Sequence, residues 1–251
     1  KPSSTLVINE KCKELISQGK KVYQLGFGQS PFPVPEKIVS ELKKNAHKKE
    51  YLPIQGLPAL RESVSNYLLE KTGVNYPKEN ILITPGSKEA MLLMHVAFNG
   101  EIILPAPSWV SYEPQAQIGL NKVHWLQTTR ENNWFPTPKE LEKKIQSVGK
   151  NKNIILILNS PNNPSGTVCK NLKKIATIAE KYKIIILSDE IYTDLTFCNR
   201  YESISKFYPD ATFVSGGLSK WCGAGGWRLG FFAVPKKLSG FLENLKSLAS
   251  E

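Results

Sequence analysis

One lysine and one arginine lie close together in a stretch rich in glycine and serine. Lys220 and Arg228 belong to SGGLSKWCGAGGWRLGF (215–231), which begins within an apolar, β-forming run. A lysine near other cationic groups has a lowered pKa, which makes its amine a usable nucleophile. The planar guanidinium of arginine is suited to a phosphate dianion. Isolated lysines are mostly surface residues, so the glycine-rich context is what singles out Lys220.

Two further apolar runs end in polar motifs. SDEIYTD (188–194) carries Asp189 and Tyr192 directly after the run KIIIL. NSPNNPSGTV (159–168) carries Asn163 immediately before a proline. An aspartate at such a position can simply cap a helix or a turn, and asparagine, proline, serine and glycine form turns in any protein. A buried carboxylate can also stabilise a positive charge beside it. The residue types alone leave both interpretations open.

A short glycine turn and a tryptophan follow two other apolar runs. Gly86, Ser87 and Lys88 lie where ILIT is followed by a helical pattern, so their backbone N–H groups could bind a phosphate. A plain connecting loop is the simpler interpretation of so short a motif. Trp109 follows EIILP, and a tryptophan is by default a core residue. Its flat π-face also suits stacking on an aromatic ring.

These motifs are placed by an alternation of helical patterns and short β-rich runs, which begins at about residue 57. NIILILNS (153–160) and KIIILSDE (183–190) are largely apolar, as in parallel strands that are covered on both faces. The alternation predicts an α/β domain with a mostly parallel sheet sandwiched by helices. Ligands of such sheets bind where the carboxyl ends of the strands enter loops. PGS, NSPNNPSG, SDEIY and GGLSK are therefore expected at one edge of the sheet.

Local signals predict the individual elements. LPALRESVSNYLLEKTG predicts a helix that ends at Gly73, and a tryptophan-bearing helix is predicted from Ser108. Thr137 is a predicted N-cap, with Pro138 at the first position of the helix TPKELEKKIQ. KEAMLLMHVAF and KNLKKIATIAEKY are also predicted to be helices. Strands are predicted for ILIT (81–84), EIILP (101–105), KVHWLQ (122–127), NIILILNS (153–160), KIIILSDE (183–190), TFVSGGL (212–218) and RLGFFAVP (228–235).

Composition limits the classes of function. The 251 residues carry a formal net charge of +11, but the lysines are scattered in patterns that suit solvated helix faces, so we expect no nucleic-acid partner. No apolar run reaches the length of a membrane span, and the first residues hold no signal-peptide core. The four cysteines and three histidines form no metal-binding spacing. We expect a cytoplasmic protein with reduced thiols, without a metal site and without a membrane partner.

The motifs occur together, in order, over nearly the whole chain (about 26–235), and in this they resemble the class I/II aminotransferases, which are pyridoxal-phosphate (PLP) enzymes of fold-type I. By that resemblance Lys220 would form the Schiff base with PLP, and Asp189 would pair with the protonated ring nitrogen. Asn163 and Tyr192 would bind the ring oxygen. The remaining cofactor contacts implied by the resemblance are those of Gly86, Ser87, Lys88, Ser219 and Arg228 with the phosphate and of Trp109 with the ring.

Two residues match family positions with other roles, and three features depart from the family. Tyr51 matches a tyrosine that reaches the phosphate of the neighbouring subunit's cofactor, which implies a homodimer. Gly28 matches a glycine near the substrate carboxylate. Gly217 replaces a common phosphate-binding serine, and GQSP (28–31) replaces the commoner glycine–acid–proline sequence. We find no match for the family's arginine that binds the substrate α-carboxylate, and we expect it beyond residue 251.

The resemblance implies transamination between an amino acid and a 2-oxo acid, with Lys220, Asp189 and Tyr192 as the catalytic residues. The motifs do not dictate which bond breaks, so a PLP-dependent C–S β-lyase on the same scaffold is an alternative. A non-catalytic PLP-sensing regulatory module is a second alternative, although the sequence shows no DNA-binding domain. The expected organisation is an N-terminal segment or part of a small domain (1–28) and a PLP-binding large domain (29–251), with a C-terminal small domain missing.

Overall fold

A seven-stranded mixed sheet forms the centre of the computed structural model, which describes residues 4–24, 26, 28–149, 151–197 and 201–250. The order across the sheet is β1-β7-β6-β5-β4-β2-β3. The five strands from β6 to β3 are parallel to their neighbours, whereas β7 is antiparallel to both β1 and β6. The chain is therefore an α/β protein with a mostly parallel sheet, as predicted. The strands are β1 (Ile81–Thr84), β2 (Glu101–Ala106), β3 (Lys122–Gln127), β4 (Ile154–Asn159), β5 (Ile185–Asp189), β6 (Thr212–Gly217) and β7 (Gly230–Ala233).

Helices cover both faces of this sheet. Alternate residues of β2 show the two faces, because Ile102 and Leu104 pack in one apolar cluster with α4, α5 and α8, whereas Ile103 packs in another with α6 and α7. α3 covers β1, β6 and β7 on the same face as α6 and α7. The helices are α1 (Ser4–Ser17), α2 (Glu36–Asn45), α3 (Pro58–Thr72), α4 (Ser87–Ala97), α5 (Tyr112–Ile118), α6 (Pro138–Val148), α7 (Leu172–Lys181) and α8 (Ser239–Ala249).

Local signals that were visible in the sequence are realised at two helix ends. α3 ends where Gly73 adopts a left-handed φ of 72°, a conformation that glycine adopts without steric cost. α6 begins with a capping box, in which the Thr137 hydroxyl accepts from the backbone N–H of Glu140 and the Glu140 carboxylate accepts from the backbone N–H of Thr137. Both predicted boundaries are confirmed.

Two boundary predictions are wrong. The tryptophan-bearing helix does not start at Ser108, because α5 begins at Tyr112 and Trp109 lies in the preceding turn. Pro114 explains the difference: it has no N–H, so a helix accepts it in the first turn but not in the interior, where a start at Ser108 would put it. The predicted strand 228–235 is shorter, with β7 beginning at Gly230, so Arg228 lies before the strand.

Three remaining sequence expectations concern membranes, cysteines and the domain organisation. Among the helices in the described ranges, none is long and apolar enough to cross a membrane. Cys12, Cys169 and Cys222 are free thiols, and Cys198 lies outside the described residues. The division into segments 1–28 and 29–251 stays a prediction, and residues 1–3, 25 and 27 of the first segment lie outside the described part of the chain.

Candidate active site

The carboxyl ends of the central strands bring the predicted site residues to one edge of the sheet. Asn159 ends β4 and pairs in register with Asp189, which ends β5 and pairs with Ser215 of β6. Asn163 follows β4, Tyr192 follows β5, and Ser219 and Lys220 follow β6. The turn of Gly86 follows β1 at the same edge. Arg228 reaches this edge although it precedes its strand, because β7 runs in the opposite direction.

Asp189 is the most deeply buried acid of this cluster, with 3% of its surface exposed. Its Oδ2 accepts a 2.6 Å hydrogen bond from the Tyr112 hydroxyl. Its Oδ1 accepts from the Ser215 hydroxyl at 3.2 Å and from the Ile191 backbone N–H at 3.3 Å. Burial raises the pKa of the Asp189 carboxyl, and these hydrogen bonds and the charge of Lys220 oppose that rise. A cation beside Asp189 would also favour the charged carboxylate and so oppose the effect of burial on its pKa.

Asn163 and Tyr192 form a polar pair next to this acid. The Asn163 side-chain amide donates to the Tyr192 hydroxyl at 3.3 Å. Asn159 positions the loop, because its Oδ1 accepts from the Asn163 backbone N–H at 2.7 Å and its Nδ2 donates to the Asp189 carbonyl at 2.9 Å. The pair therefore offers two adjacent groups that can bind one oxygen atom of a ligand.

The amine of Lys220 lies between this pair and the N-terminal segment. Its Nζ is 5.6 Å from the centre of the Tyr192 ring and donates to the Gly28 carbonyl at 2.8 Å. Burial lowers the pKa of the Lys220 amine, while the negative charge of Asp189 opposes that shift. A lowered pKa increases the fraction of neutral amine, which is the nucleophilic form.

Arg228 and the Gly86 turn lie against each other at the other end of the cluster. Arg228 donates from Nη2 to the Pro85 carbonyl at 3.0 Å and from Nη1 to the Gly225 carbonyl at 2.9 Å. Gly86 has a φ of 87°, and a Cβ atom there would collide with the Arg228 guanidinium. Glycine is thus required for this close approach. Ser87 and Lys88 open α4 directly behind the turn, so free backbone N–H groups and an exposed guanidinium share one location.

Trp109 lies beside the cluster, in contact with Lys88 and Tyr112, whereas Tyr51 stays apart. The Lys88 ammonium lies 5.6 Å from the centre of the Trp109 ring. The Tyr112 ring meets Trp109 edge-on, with ring centres 5.3 Å apart. Ser219 is half-buried beside Lys220. The structure does not bring Tyr51 into this cluster, because the Tyr51 side chain is fully exposed between α2 and α3.

Three residues of the site were missed in the sequence: Tyr112, Asn159 and Ser215. Asn159 and Ser215 had a usable signal, because each is a polar residue near the carboxyl end of an otherwise apolar strand. Tyr112 had none, since its contact with Asp189 joins positions 77 residues apart.

Comparison with known proteins gives a consistent result along the chain. A sequence model of the aminotransferase class I and II family matches residues 20–250. The aspartate aminotransferase of Geobacillus stearothermophilus is 32% identical over 98% of this chain and 64% of its own length. The aspartate aminotransferase of Pyrococcus horikoshii is 36% identical over 93% of this chain and 61% of its own length.

Solved structures agree with these relatives. The aspartate aminotransferase of Thermus thermophilus, solved with maleate, superposes with a TM-score of 0.92 at 28% identity, over 100% of this chain and 65% of that one. The chain thus spans slightly less than two thirds of the length of these relatives. The family match over nearly all of its residues is decisive: the chain belongs to the aminotransferase class I and II family.

Proposed function

We propose that this chain is the PLP-binding part of an aminotransferase, which moves an amino group between an amino acid and a 2-oxo acid. The family depends on PLP. The observation that carries the proposal is the convergence of the Lys220 amine, the buried Asp189 and the Asn163–Tyr192 pair at one sheet edge. Relatives named as aspartate aminotransferases favour transamination over the C–S lyase alternative.

The residues present fit the chemical groups of PLP. Asp189 is a buried carboxyl group whose Oδ atoms accept hydrogen bonds only from neutral donors among the described residues, which suits a protonated ring nitrogen. The Asn163–Tyr192 pair suits the ring oxygen. Arg228 and the Gly86 turn provide positive charge and N–H groups for a phosphate. Trp109 offers a flat face for the ring, and Lys220 offers an amine for the covalent link.

The site residues would act on the substrate in distinct ways. When bound, PLP supplies an electron sink that stabilises negative charge at the substrate α-carbon. Asp189 maintains that property by holding a proton on the ring nitrogen. Lys220 first holds the cofactor covalently, and its Nζ then accepts the α-proton of the substrate, for which a lowered pKa is suitable. Asn163 and Tyr192 fix the orientation of the ring so that Nζ stays within reach.

Aspartate is the substrate we propose for the donor side. Both relatives above are named aspartate aminotransferases. The Thermus structure was solved with maleate, which is a four-carbon dicarboxylate like the product expected from aspartate. Gly28 lies against the Lys220 amine, and we propose that its backbone lies near the substrate carboxylate.

A homodimer is the assembly we propose. Tyr51 is fully exposed, and Leu52, Ile54 and Leu57 beside it are about half exposed, so this segment presents apolar surface that a second subunit could cover. In such a dimer Tyr51 would reach the phosphate of the partner's cofactor. The cytoplasmic location expected from the sequence and the division into 1–28 and 29–251 stay predictions.

The test is a substrate assay on the PLP-loaded protein, with Lys220→Ala as the control. We expect oxaloacetate from aspartate only when a 2-oxo acid acceptor is present, and none with the control variant. Pyruvate and thiol released from a thioether amino acid without any acceptor would support the lyase instead. Failure of every amino donor to react, in a protein that binds PLP through Lys220, would overturn transamination.

A further inference from the structure

Tyr112 contacts two parts of the site at once, although it lies on neither of the loops that carry the lysine and the asparagine. We propose that Tyr112 is a positioning residue, whose hydroxyl keeps Asp189 ionised and whose ring holds Trp109 at the wall of the site. The consequence for catalysis rests on the proposed function. The effect on Asp189 does not, since it is a property of the chain alone.

The hydroxyl contact is short and buried. Tyr112 is 1% exposed and Asp189 is 3% exposed, and 2.6 Å separates the Tyr112 Oη from the Asp189 Oδ2. Burial and the neighbouring carboxylate raise the pKa of the Tyr112 hydroxyl well above its ordinary value, so this group keeps its proton and donates it. Within the described part of the chain, Tyr112 is the sole donor to Oδ2, while Ser215 and the Ile191 N–H serve Oδ1.

The other titratable groups around Asp189 cannot replace this donor. Lys220, from the turn after β6, favours the charged form of the Asp189 carboxyl by its own charge, but its Nζ donates to the Gly28 carbonyl and not to the carboxylate. Glu190, the next residue, is also a buried acid, and two neighbouring carboxylates disfavour each other's ionisation. Tyr192 makes no hydrogen bond to Asp189 in the described part of the chain, and burial, together with the charge of Asp189, raises the pKa of Tyr192. Of the groups that favour the charged form of Asp189, the Tyr112 hydroxyl therefore has the largest effect, ahead of the Ile191 N–H, the Ser215 hydroxyl and the charge of Lys220.

The ring contact has a separate effect. The Tyr112 ring meets the Trp109 ring at 83° with centres 5.3 Å apart, which is the favoured edge-to-face geometry. Tyr112 opens α5, and its position is fixed by a core cluster that includes Met91, Met94 and Ala116. Trp109 itself precedes the helix, and its carbonyl accepts from the Tyr112 backbone N–H at 3.2 Å. The backbone bond fixes the main chain of Trp109, and the Tyr112 ring supports its side chain.

A purely packing role is the competing interpretation, and two variants separate it from ours. Tyr112→Phe removes the hydroxyl and keeps the ring, while Tyr112→Leu removes both. Tyr76→Phe is the matched control, because Tyr76 is equally buried and its hydroxyl donates at 2.8 Å to the backbone carbonyl of Thr212, at the opposite end of β6. All three variants lose one buried hydroxyl, so a general loss of stability appears in each.

The decisive measurement is a pH titration of the Asp189 carboxyl carbon by NMR in the cofactor-free protein, with Asp189→Asn to assign the signal. A hydrogen bond from a neutral donor to a charged group corresponds to about one pH unit. We expect Tyr112→Phe to shift the titration upward by about that amount, and Tyr76→Phe to leave it unchanged. An unchanged titration in Tyr112→Phe would overturn the proposed role of the hydroxyl, whatever reaction the protein catalyses.

Two measurements on the PLP-loaded protein complete the test. In Tyr112→Phe we expect kcat to fall about tenfold with little change of KM, because one pH unit of proton affinity corresponds to that factor. In Tyr112→Leu we expect an added change in tryptophan fluorescence, which a Trp109→Phe background should abolish, because that background assigns the change to Trp109 among the five tryptophans. Fluorescence identical to that of Tyr112→Phe would overturn the role of the ring. A titration shift in Tyr112→Phe, together with no transamination by the parent protein, would retain the effect of Tyr112 on Asp189 and refute the proposed function instead.

Discussion

The Lys220 side chain is half-buried and has a carbonyl partner, and it is the residue on which the proposed covalent chemistry depends. Its amine donates to the Gly28 carbonyl, and its pKa is lowered by burial. We expect Lys220→Ala to lose the covalent link to PLP completely. Borohydride reduction of the PLP-loaded protein, followed by peptide mapping, should label only the peptide that contains Lys220 in the parent protein. A label on another lysine would contradict the assignment.

His95 lies outside the site, and its burial should make the stability of the fold depend on pH. It is fully buried on α4, and neither ring nitrogen has a hydrogen-bond partner in the described part of the chain. Burial lowers its pKa from 6.5 to about 4. Between pH 6.5 and about pH 4 the imidazole is therefore protonated in the unfolded chain but not in the folded chain. The free energy of unfolding consequently decreases as the pH falls from about 6.5 to about 4, by about 3 kcal/mol in total.

Replacement of this histidine tests the linkage. We expect His95→Leu to remove most of that pH-dependent loss, because leucine keeps an apolar side chain of similar size without a titrating group. Urea unfolding at pH 7 and pH 4.5 measures the difference. The exposed His47→Gln variant is the control, and it should follow the parent protein at both pH values. Equal acid sensitivity of His95→Leu and the parent protein would show that other groups dominate.

At the scale of elements, the turn between β1 and α4 requires a glycine at position 86. Gly86 combines a φ of 87° with direct contact to Arg228, so an added Cβ is both strained and obstructed. We expect Gly86→Ala to weaken PLP binding about tenfold. Backbone strain of this kind costs on the order of 1 kcal/mol or more. The added Cβ would also displace the Arg228 guanidinium, which is the proposed phosphate ligand.

Gly73 provides a matched control for that turn. It also has a positive φ, of 72°, but an added Cβ at Gly73 meets open space at the end of α3. Gly73→Ala should therefore lower the melting temperature while leaving the affinity for PLP unchanged. Fluorescence titration with PLP, together with thermal unfolding, measures both quantities. Similar PLP affinity in the two variants would mean that the contact between Gly86 and Arg228 does not shape the phosphate end.

The elements also show what a sequence can predict. β4 is apolar at nearly every position, and that pattern identified it as a strand buried on both faces. The antiparallel course of β7 leaves no such trace, because it depends on the neighbouring strands. Arg228 was predicted inside this strand, but it adopts a left-handed φ of 57°, which a strand residue does not have, and β7 begins at Gly230. Pro114 was visible, but its effect on the start of α5 was missed. The motifs identified residues that the structure brings to one sheet edge, whereas pairings such as Tyr112 with Asp189 required the fold.

At the scale of the whole molecule, the proposed dimer makes each site depend on two chains. Lys220 would come from one subunit and Tyr51 from the other, since the Tyr51 side chain is fully exposed in a single chain. Each site then loses one residue through Lys220→Ala in its own subunit and another through Tyr51→Phe in the partner subunit. In a mixed dimer one site combines both defects, and the other contains neither. Mixing the two variants should therefore create intact sites that neither homodimer has.

The arithmetic of mixing fixes the expected size of this effect. Random exchange of equal amounts gives mixed dimers as about half of the total, each with one intact site, so about a quarter of all sites are restored. We expect a transamination rate near a quarter of the parent rate, above the rates of the separate variants. The measurement is a coupled assay after denaturation and joint refolding, with the variants refolded separately as the control. A rate equal to the mean of the separate variants would show that Tyr51 serves its own subunit or no site at all.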